Sequence, residues 1–432
     1  MCSVIQHNDI LSPVIRSGEA TLCPQCDLVV LLPQLACGTK ACCPRCKTTL
    51  SSCWDEPRKR PVSYAISALL MLLLANLFPF ISLRVAGITS EISLTDIPYV
   101  LLQENYTSMA MLFMVPVQGV PLFCLLAIVL LCRKSVPGSS FKIWLARILF
   151  RLKSWCMAEI FLAGVVVTLV KLMAYGDIAI GASFIPWCLF CLLQIRAFQG
   201  IDRRALWQKI ARAPSVNHPL KAGESGMHQG LRSCHCCTAI LSASLRRCPR
   251  CQTRGDVRRH HSLQWTIALL LTSIMLYIPA NLMPVMVTQA LGNTVTSTIM
   301  AGIIMLWEEG AYPVAVVIFI ASIMVPLLKM SAIAWLCWNA HGKGSTDTER
   351  PYFIYRVVEC VGRWSMIDVF VIALLSALVR TGKFMSISPS DGVILFAMVV
   401  CLTMFSAMAF DPRLTWDRIS ERAKNKDPPF DG

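Results

Sequence analysis

The sequence predicts an all-α integral membrane protein in which eight transmembrane helices form two parallel four-helix repeats. Of its 432 residues, 55% are hydrophobic and only 15% are charged, which is too apolar for an ordinary soluble domain. Eight apolar runs are each long enough to cross a bilayer core of about 30 Å. Several motifs also occur twice, with offsets of 205 or 209 residues, so the chain is expected to be a duplication.

The predicted spans lie in two groups of four. They fall near residues 63–83, 109–131, 155–175, 178–198, 263–287, 311–338, 364–380 and 391–410. If the N-terminus is cytoplasmic, 34 of the 40 Lys and Arg residues lie in cytoplasmic segments, and only Arg84 and Lys383 lie in outer loops. This asymmetry follows the positive-inside rule, so both termini are expected in the cytoplasm. It also accounts for the net charge of +15 without a nucleic-acid partner.

Two pairs of C-x-x-C motifs precede the two groups of spans. Each motif can present two thiolates to one metal ion, and four thiolates complete the tetrahedral shell that zinc accepts. The sequence therefore predicts two cytoplasmic zinc ribbons, at residues 23–60 and 231–258, with one ion each. The predicted ligands are Cys23, Cys26, Cys43, Cys46, Cys234, Cys237, Cys248 and Cys251. Redox dithiols or plain buried cysteines are the alternative interpretation of a single pair.

The repeated motifs also define the predicted domain boundaries. Each unit contains a ribbon, four spans and an Asp-x-Arg-x-x-Trp exit, and an even number of spans makes the two units parallel. The predicted order along the chain is a flexible N-terminus (1–22), ribbon 1, unit 1 (61–204), a linker (205–230), ribbon 2, unit 2 (259–416) and a tail (417–432). The long outer loops at 84–108 and 288–310 are expected to form short strands and to present a surface for a large partner.

Polar residues inside the spans are the candidate transport residues. Asp368 interrupts the seventh predicted span, where a charge costs about 2.5 to 3.5 kcal/mol and normally has a partner or a function. Lys329 shares one face of the sixth predicted span with Ser322. We expect Lys329 and Asp368 to pair, either as a protonatable or gating element or as a static ion pair that fixes helix register. Unit 1 has Glu159 at the aspartate position but Cys124 at the lysine position.

Asn281 and Ser365 are the remaining polar candidates. Ser365 lies on the same helical face as Asp368. Asn281 precedes Pro284 near the outer end of the fifth predicted span, which is typical of a helix C-terminus followed by a turn. A substrate-binding role for Asn281 is the less favoured interpretation.

The chain resembles the paraquat-inducible protein A family. The resemblance rests on the paired ribbons and on the segments 262–265, 279–282, 324–329 and 362–368, and it covers nearly the whole chain. It implies a multi-pass protein of the bacterial inner membrane that works with a periplasmic MCE-domain protein, whose rings form a tunnel toward the outer membrane. By this resemblance the chain passes phospholipid or a related lipid between the membrane and the tunnel and supports envelope integrity under stress. The same resemblance directs attention to Lys329, Asp368, Ser322 and Ser365.

Two other classes of function remain to be compared with lipid transport. A membrane-anchored redox or stress sensor would use the ribbon cysteines to detect oxidants. A multi-span enzyme acting on a quinone or lipid is disfavoured, because all seven histidines lie in predicted cytoplasmic segments. The sequence therefore predicts a transporter subunit and no catalytic residues.

Overall fold

The computed structural model describes most of the chain. The described residues are 2–4, 20–33, 35–54, 56, 59–85, 88–103, 105–133, 139–172, 177–214, 220–290, 293–308, 310, 312–341, 349–378 and 385–417. We call residues 20–54 and 220–258 the first and second cysteine modules, and residues 59–211 and 259–417 the first and second halves. The predicted tail beyond residue 417 lies outside the described residues.

The first cysteine module is built from short strands. These are β1 (Cys2–Val4), β2 (Ala20–Leu22), β3 (Val29–Leu31), β4 (Lys40–Cys42) and β5 (Thr49–Ser52). Strands β2 and β3 form an antiparallel hairpin, while β4 pairs with β1 in parallel and with β5 in antiparallel orientation. One C-x-x-C motif lies in the turn between β2 and β3, and the other lies in the turn between β4 and β5. Each pair of cysteines therefore sits in a tight turn.

The first half contains eight α-helices and three strands. They are α1 (Lys59–Leu77), β6 (Ile81–Val85), β7 (Ile88–Ile92), α2 (Asp96–Gln103), α3 (Thr107–Met114), α4 (Val120–Cys132), α5 (Ser139–Leu152), α6 (Ala158–Leu172), β8 (Asp177–Ile180), α7 (Phe184–Gln199) and α8 (Arg203–Ile210). A π-helical turn, Val115–Gly119, joins α3 to α4. It directly precedes Pro121, whose ring lacks an N–H and would clash with the carbonyl four residues earlier, which explains the local change in pitch.

The second module and half follow with the same order of spanning elements. They contain β9 (Leu231–Ser233), β10 (Ile240–Ser242), α9 (Ser262–Leu282), β11 (Met286–Ala290), β12 (Asn293–Ser297), α10 (Ile299–Glu308), α11 (Tyr312–Phe319), α12 (Val325–Ala340), α13 (Glu349–Trp364), α14 (Ile367–Leu378), β13 (Met385–Pro389) and α15 (Asp391–Ala409). A second π-helical turn, Ile320–Met324, again directly precedes a proline, Pro326. Both halves therefore distort the helix at the same point for the same physical reason.

Six helical segments are long and apolar enough to cross a membrane. They are Lys59–Leu77, Thr107–Cys132, Ser139–Leu169, Ser262–Leu282, Ala315–Ala340 and Asp391–Ala409. A seventh crossing arises if α7 and α8, which meet at 63°, count as one bent span. The predicted span near 364–380 corresponds to α14, whose twelve residues are fewer than the roughly 20 that cross a bilayer, and the chain after Leu378 is not described again until residue 385. The structure shows a multi-pass membrane protein, and the number eight stays a prediction.

Strands form in both long loops between the first and second spans of each half. In the first half β6 pairs with β7 and with β8, and all three strands are antiparallel. In the second half β11 pairs with β12 and with β13 in the same way. Each three-stranded sheet lies beyond the ends of α1 or α9 that are distant from the cysteine modules. We call this end of the molecule the sheet face and the opposite end the module face.

The two halves meet through their third apolar segments, α6 and α14. Phe370 on α14 packs edge-on against Phe113 and Phe161 of the first half, with both ring centroids 6.1 Å away. Gly164 lies beside this ring, and a Cβ added to it would make an ordinary contact of 3.5 Å with Cβ of Phe370. Inside a bilayer such contacts stabilise the fold by close packing rather than by leaving water. The aromatic cluster is therefore the main contact between halves within the membrane.

Candidate metal centres and the buried polar site

The eight predicted metal ligands form two separate clusters. Cys23, Cys26, Cys43 and Cys46 make one, and Cys234, Cys237, Cys248 and Cys251 make the other, with all four sulfur atoms of each within 4.8 Å. The closest S···S distances are 3.3 and 3.5 Å in the first cluster and 3.4 and 3.5 Å in the second. Four sulfurs around one zinc ion at 2.3 Å would lie about 3.8 Å apart. Both clusters therefore fit a tetrahedral metal ion with little adjustment.

All four C-x-x-C motifs have the same backbone geometry. The residue after the second cysteine is left-handed in each: Asp27, Lys47, Thr238 and Gln252 have φ between 56° and 59°. The N–H of each of these residues donates to the carbonyl of the first cysteine, at 2.8 to 3.0 Å. A left-handed conformation costs a non-glycine residue roughly 1–2 kcal/mol. All four turns therefore hold their cysteines with the same strained backbone, a strain that a bound ion would offset.

The two clusters are closed by burial. Within the first cluster the cysteines are 0–4% exposed, and within the second 0–4%. Four thiolates leave no open position for substrate, which is typical of a structural metal site rather than a catalytic one. Cys42, next to the ligand Cys43, is disulfide-bonded and is not a member of the cluster.

Each cysteine module rests on the exit segment of a helical half. In the second module, the cluster cysteines pack against Trp207 of α8, and Arg250 donates to the carbonyl of Ala211 at 3.0 Å. In the first module, the cluster packs against Trp416, at the end of the second half. Arg45, the counterpart of Arg250, lies over the Trp416 ring at 4.2 Å. The chain therefore closes on itself, with its first module docked on its last helical segment.

The Asp-x-Arg-x-x-Trp exits provide these docking points. Asp202 accepts a hydrogen bond from the N–H of Arg204 at the start of α8, and Asp411 accepts one from Arg413. The guanidinium of Arg413 donates to the carbonyl of Pro24 at 3.0 Å. The repeated motif thus combines an N-cap, a hydrogen bond to a module and a tryptophan against the cysteine cluster. These roles depend on contacts distant in sequence, so motif spacing could not reveal them.

Arg258 fastens three segments together on the module face. It pairs with Asp417 at 2.7 Å and with the buried Asp27 at 2.9 Å. Burial alone would lower the pKa of Arg258, but its hydrogen bonds to Asp417 and the charge of Asp27 raise it instead. The ion-pair cluster joins the first module, the segment before α9 and the end of the second half.

Lys329 is buried in the second half. It is 2% exposed, and its ammonium group donates to the hydroxyl of Thr403 at 2.8 Å and more weakly to the carbonyl of Gly362 at 3.5 Å. These two acceptors are neutral, so they do not offset a buried charge as a carboxylate would. The side chain of Asp368 lies outside the described residues, and the Lys329–Asp368 pair stays a prediction.

Glu159 and Asp368 each lie at the start of a helix, which the hydropathy of the sequence does not show. Helix α13 ends at Trp364 and α14 begins at Ile367, so Asp368 is the second residue of its helix. Glu159 is likewise the second residue of α6, and its side chain is exposed. An acidic side chain in the first turn is favoured by the partial positive charge of a helix N-terminus. Neither acid therefore interrupts a continuous helix, as the apolar run suggested.

The remaining polar candidates are buried or structural. Ser322 and Ser365 are each 5% exposed. The amide of Asn281 donates to the carbonyl of Tyr277 at 2.8 Å, which supports the interpretation as a helix end. The following turn is tightly packed, because a Cβ on Gly392 would lie 2.4 Å from the carbonyl oxygen of Pro284.

The first half has a half-buried lysine that the repeated motifs do not identify. Lys153 occupies the position of Gly362 at the 209-residue offset, and it donates to the carbonyl of Phe198 at 2.9 Å. Its nearest titratable neighbours include the thiols of Cys156 and Cys124, the latter being the counterpart of Lys329. The two halves thus supply a lysine to matching places from different helices. A search for lysine at position 124 could not find it.

Accessibility distinguishes the two lysines. Lys153 lines a cavity of about 460 Å³ that also contacts the first module through Ser51 and Trp54, whereas Lys329 is sealed. Gln194, at the position of Thr403, is buried with its side-chain oxygen lacking a hydrogen bond. The first half therefore has a half-buried lysine beside a cavity that also touches the first module.

Comparison with known proteins identifies the family. A family model described as paraquat-inducible protein A matches residues 59–211 and 263–420. The chain is 63% identical over 406 residues to the intermembrane transport protein PqiA of Escherichia coli K12, which covers 94% of this chain and 97% of that protein.

More distant relatives match over similar lengths. The chain is 29% identical over 402 residues to lipophilic envelope-spanning tunnel protein A of Escherichia coli K12, covering 93% of this chain and 92% of that protein. It is 29% identical over 411 residues to a probable intermembrane transport protein of Haemophilus influenzae, covering 93% and 96%. No solved structure matches the chain. With both helical halves matched by the family model, the chain belongs to the paraquat-inducible protein A family.

Proposed function

We propose that this chain is the inner-membrane subunit of an intermembrane lipid transport system. The observation that carries the proposal is 63% identity over 94% of the chain to a protein named for intermembrane transport, and a relative is named for a lipophilic envelope-spanning tunnel. The chain passes phospholipid or a related lipid to a periplasmic MCE-domain partner and supports the envelope under stress. It is not an enzyme.

In this proposal the topology is two parallel units of four spans with both termini in the cytoplasm. The module face, which holds most of the basic residues, is cytoplasmic. The sheet face is periplasmic, and its two antiparallel sheets receive the MCE partner.

Each cysteine module is proposed to be a zinc ribbon with one ion. The support is the tetrahedral fit of the sulfurs and the four identical left-handed turns. The burial of both clusters favours a structural role over the alternative of a redox or stress sensor, because oxidants reach buried, metal-bound thiolates poorly. Two zinc ions per chain that survive mild oxidant would support this choice, and ready loss of the metal with formation of disulfides among the eight ligands would favour a sensor.

Lys329 and Asp368 are proposed to act in the transport step, with Ser322 and Ser365 in the same polar site. Among the described residues, the ammonium group of Lys329 is held by the neutral oxygens of Thr403 and Gly362, which it can exchange for other partners more readily than it could leave an ion pair. We therefore expect Lys329→Met and Asp368→Asn each to abolish envelope protection in a deletion strain at normal protein abundance. Complementation by both single variants would contradict the proposal. Rescue by exchanging the two charges would instead favour a static pair.

A further inference from the structure

A cavity on the module face has the character of a lipid-headgroup site. Its volume is about 490 Å³, and it lies between the first cysteine module, the end of α4, α5 and α8. The cavity belongs to the first half and is lined by Asp202 rather than by Lys329, so binding there is independent of the proposed transport step.

The walls of the cavity are apolar and its charge is positive. Leu32 of the first module, Leu131 of α4 and Ile210 of α8 are among the apolar lining residues. Three cations also line it, and these are Arg133, Lys142 and Lys209. Within the described part of the chain, none of the three forms an ion pair.

Asp202 is the one carboxylate among the described residues that line the cavity, and it is already hydrogen-bonded. Asp202 accepts hydrogen bonds from the hydroxyl of Ser51 at 2.6 Å and from the backbone N–H of Ser52 at 3.1 Å. Its other oxygen accepts from the N–H of Arg204 at 2.9 Å. It therefore ties the first module to α8, and its one negative charge balances only part of the three positive charges among the described residues that line the cavity.

Helix α5, which lines the cavity, has the composition of a helix at a membrane surface. Its fourteen residues include the basic Lys142 and Arg147, and residues 153–157 separate it from α6. Phe141 and Trp144 on α5 are stacked and are 46% and 48% exposed. Exposed aromatic side chains of this kind are typical of the membrane interface. Lys142 lies between them in the sequence and lines the cavity.

We propose that this cavity binds the headgroup of an acidic phospholipid from the leaflet beside the cysteine modules. The cations bind the phosphate, and the apolar walls receive the glycerol backbone and the upper acyl chain. A free phosphate would use the cations but not the apolar walls. The bound lipid would bridge the first module and α8, so the contact between them would depend on the amount of acidic lipid in the membrane.

The test measures lipid retention by the full-length protein. Purified protein in mixed micelles is supplied with phosphatidylglycerol or phosphatidylcholine, and bound lipid is counted by native mass spectrometry. We expect a preference for phosphatidylglycerol that falls about 30-fold in Lys142→Gln/Lys209→Gln, from about 1 kcal/mol for each basic residue. The control Lys221→Gln/Arg254→Gln removes the same charge from two exposed residues outside the cavity lining and should keep the preference.

Three outcomes would overturn the proposal. One is an unchanged preference in the double variant, provided that it retains its metal content and melting temperature. Another is equal competition by glycerol phosphate, which would make the cavity a site for soluble anions. A photoactivatable phosphatidylglycerol provides the check that needs no variant: labelling confined to peptides of α5 and α8 is expected, and labelling only elsewhere would contradict the site.

Discussion

The ion-pair cluster at Arg258 allows a quantitative test of how the module face is held together. In Arg258→Ala, the carboxylate of Asp27, whose side chain is 1% exposed, loses its only ion pair among the described residues and keeps the N–H of Met227 at 3.1 Å. Breaking a buried pair from one side costs about 3–5 kcal/mol. Because Asp417 is 23% exposed and partly rehydrates, we expect about 2–4 kcal/mol here.

We expect this loss of stability to increase local opening of the first cysteine module. If the free energy of local opening falls by about 2–4 kcal/mol, the hydrogen-exchange rate of the amides exposed by opening rises about 30-fold to about 1,000-fold. The assay is hydrogen–deuterium exchange of peptides from 20–33, in the purified full-length protein. The matched control is Arg254→Ala, an exposed arginine four residues away, which should leave exchange unchanged.

A second substitution separates electrostatics from packing. Adding Asp27→Asn to Arg258→Ala removes the uncompensated carboxylate, so most of the protection should return. If exchange in Arg258→Ala matches the wild type, or if the double variant is no better than the single one, the ion-pair cluster does not hold the module in place.

Three further predictions concern the metal, the polar site and the packing. Cys46→Ser should lower the bound zinc from two ions per chain to one by elemental analysis, and two retained ions would contradict the first centre. Lys329→Cys/Gly362→Lys copies the lysine placement of the first half into the second half. This double variant should restore the envelope protection that Lys329→Cys alone loses. Failure to restore it at normal protein abundance would show that the two placements are not interchangeable. Gly392→Ala should lower stability by about 1–3 kcal/mol by overpacking, seen as a lower melting temperature, while Gly302→Ala, with no atom within 4 Å of the added Cβ, should not.

Local patterns in the sequence predicted the metal ligands and much of the helical architecture. The C-x-x-C spacing identifies the eight clustered cysteines because each pair is made by one turn of backbone. The resemblance to the paraquat-inducible protein A family is confirmed. Hydropathy located five of the six segments that the structure supports as spans, because it measures apolar length. The third predicted span, 155–175, only overlaps the observed segment Ser139–Leu169.

Other features depend on contacts or conformations that no local pattern encodes. Lys153 was missed because the two halves place a lysine on different helices, and only the fold brings position 153 near Cys124. The break before Asp368 was missed because hydropathy records apolarity and not helix ends. The left-handed turns at Asp27 and Lys47 are not glycines, so no residue type marks them in the sequence.

The most direct test of the central proposal is lipid transfer by the reconstituted chain. Proteoliposomes carrying a fluorescent phospholipid are mixed with the soluble domain of an MCE-domain partner, and lipid bound to the partner is measured over time. The proposal predicts transfer with wild-type protein, and transfer at the rate of protein-free vesicles with Lys329→Met of equal insertion and metal content. Equal rates for wild-type protein and protein-free vesicles would contradict the assignment as a lipid transport subunit.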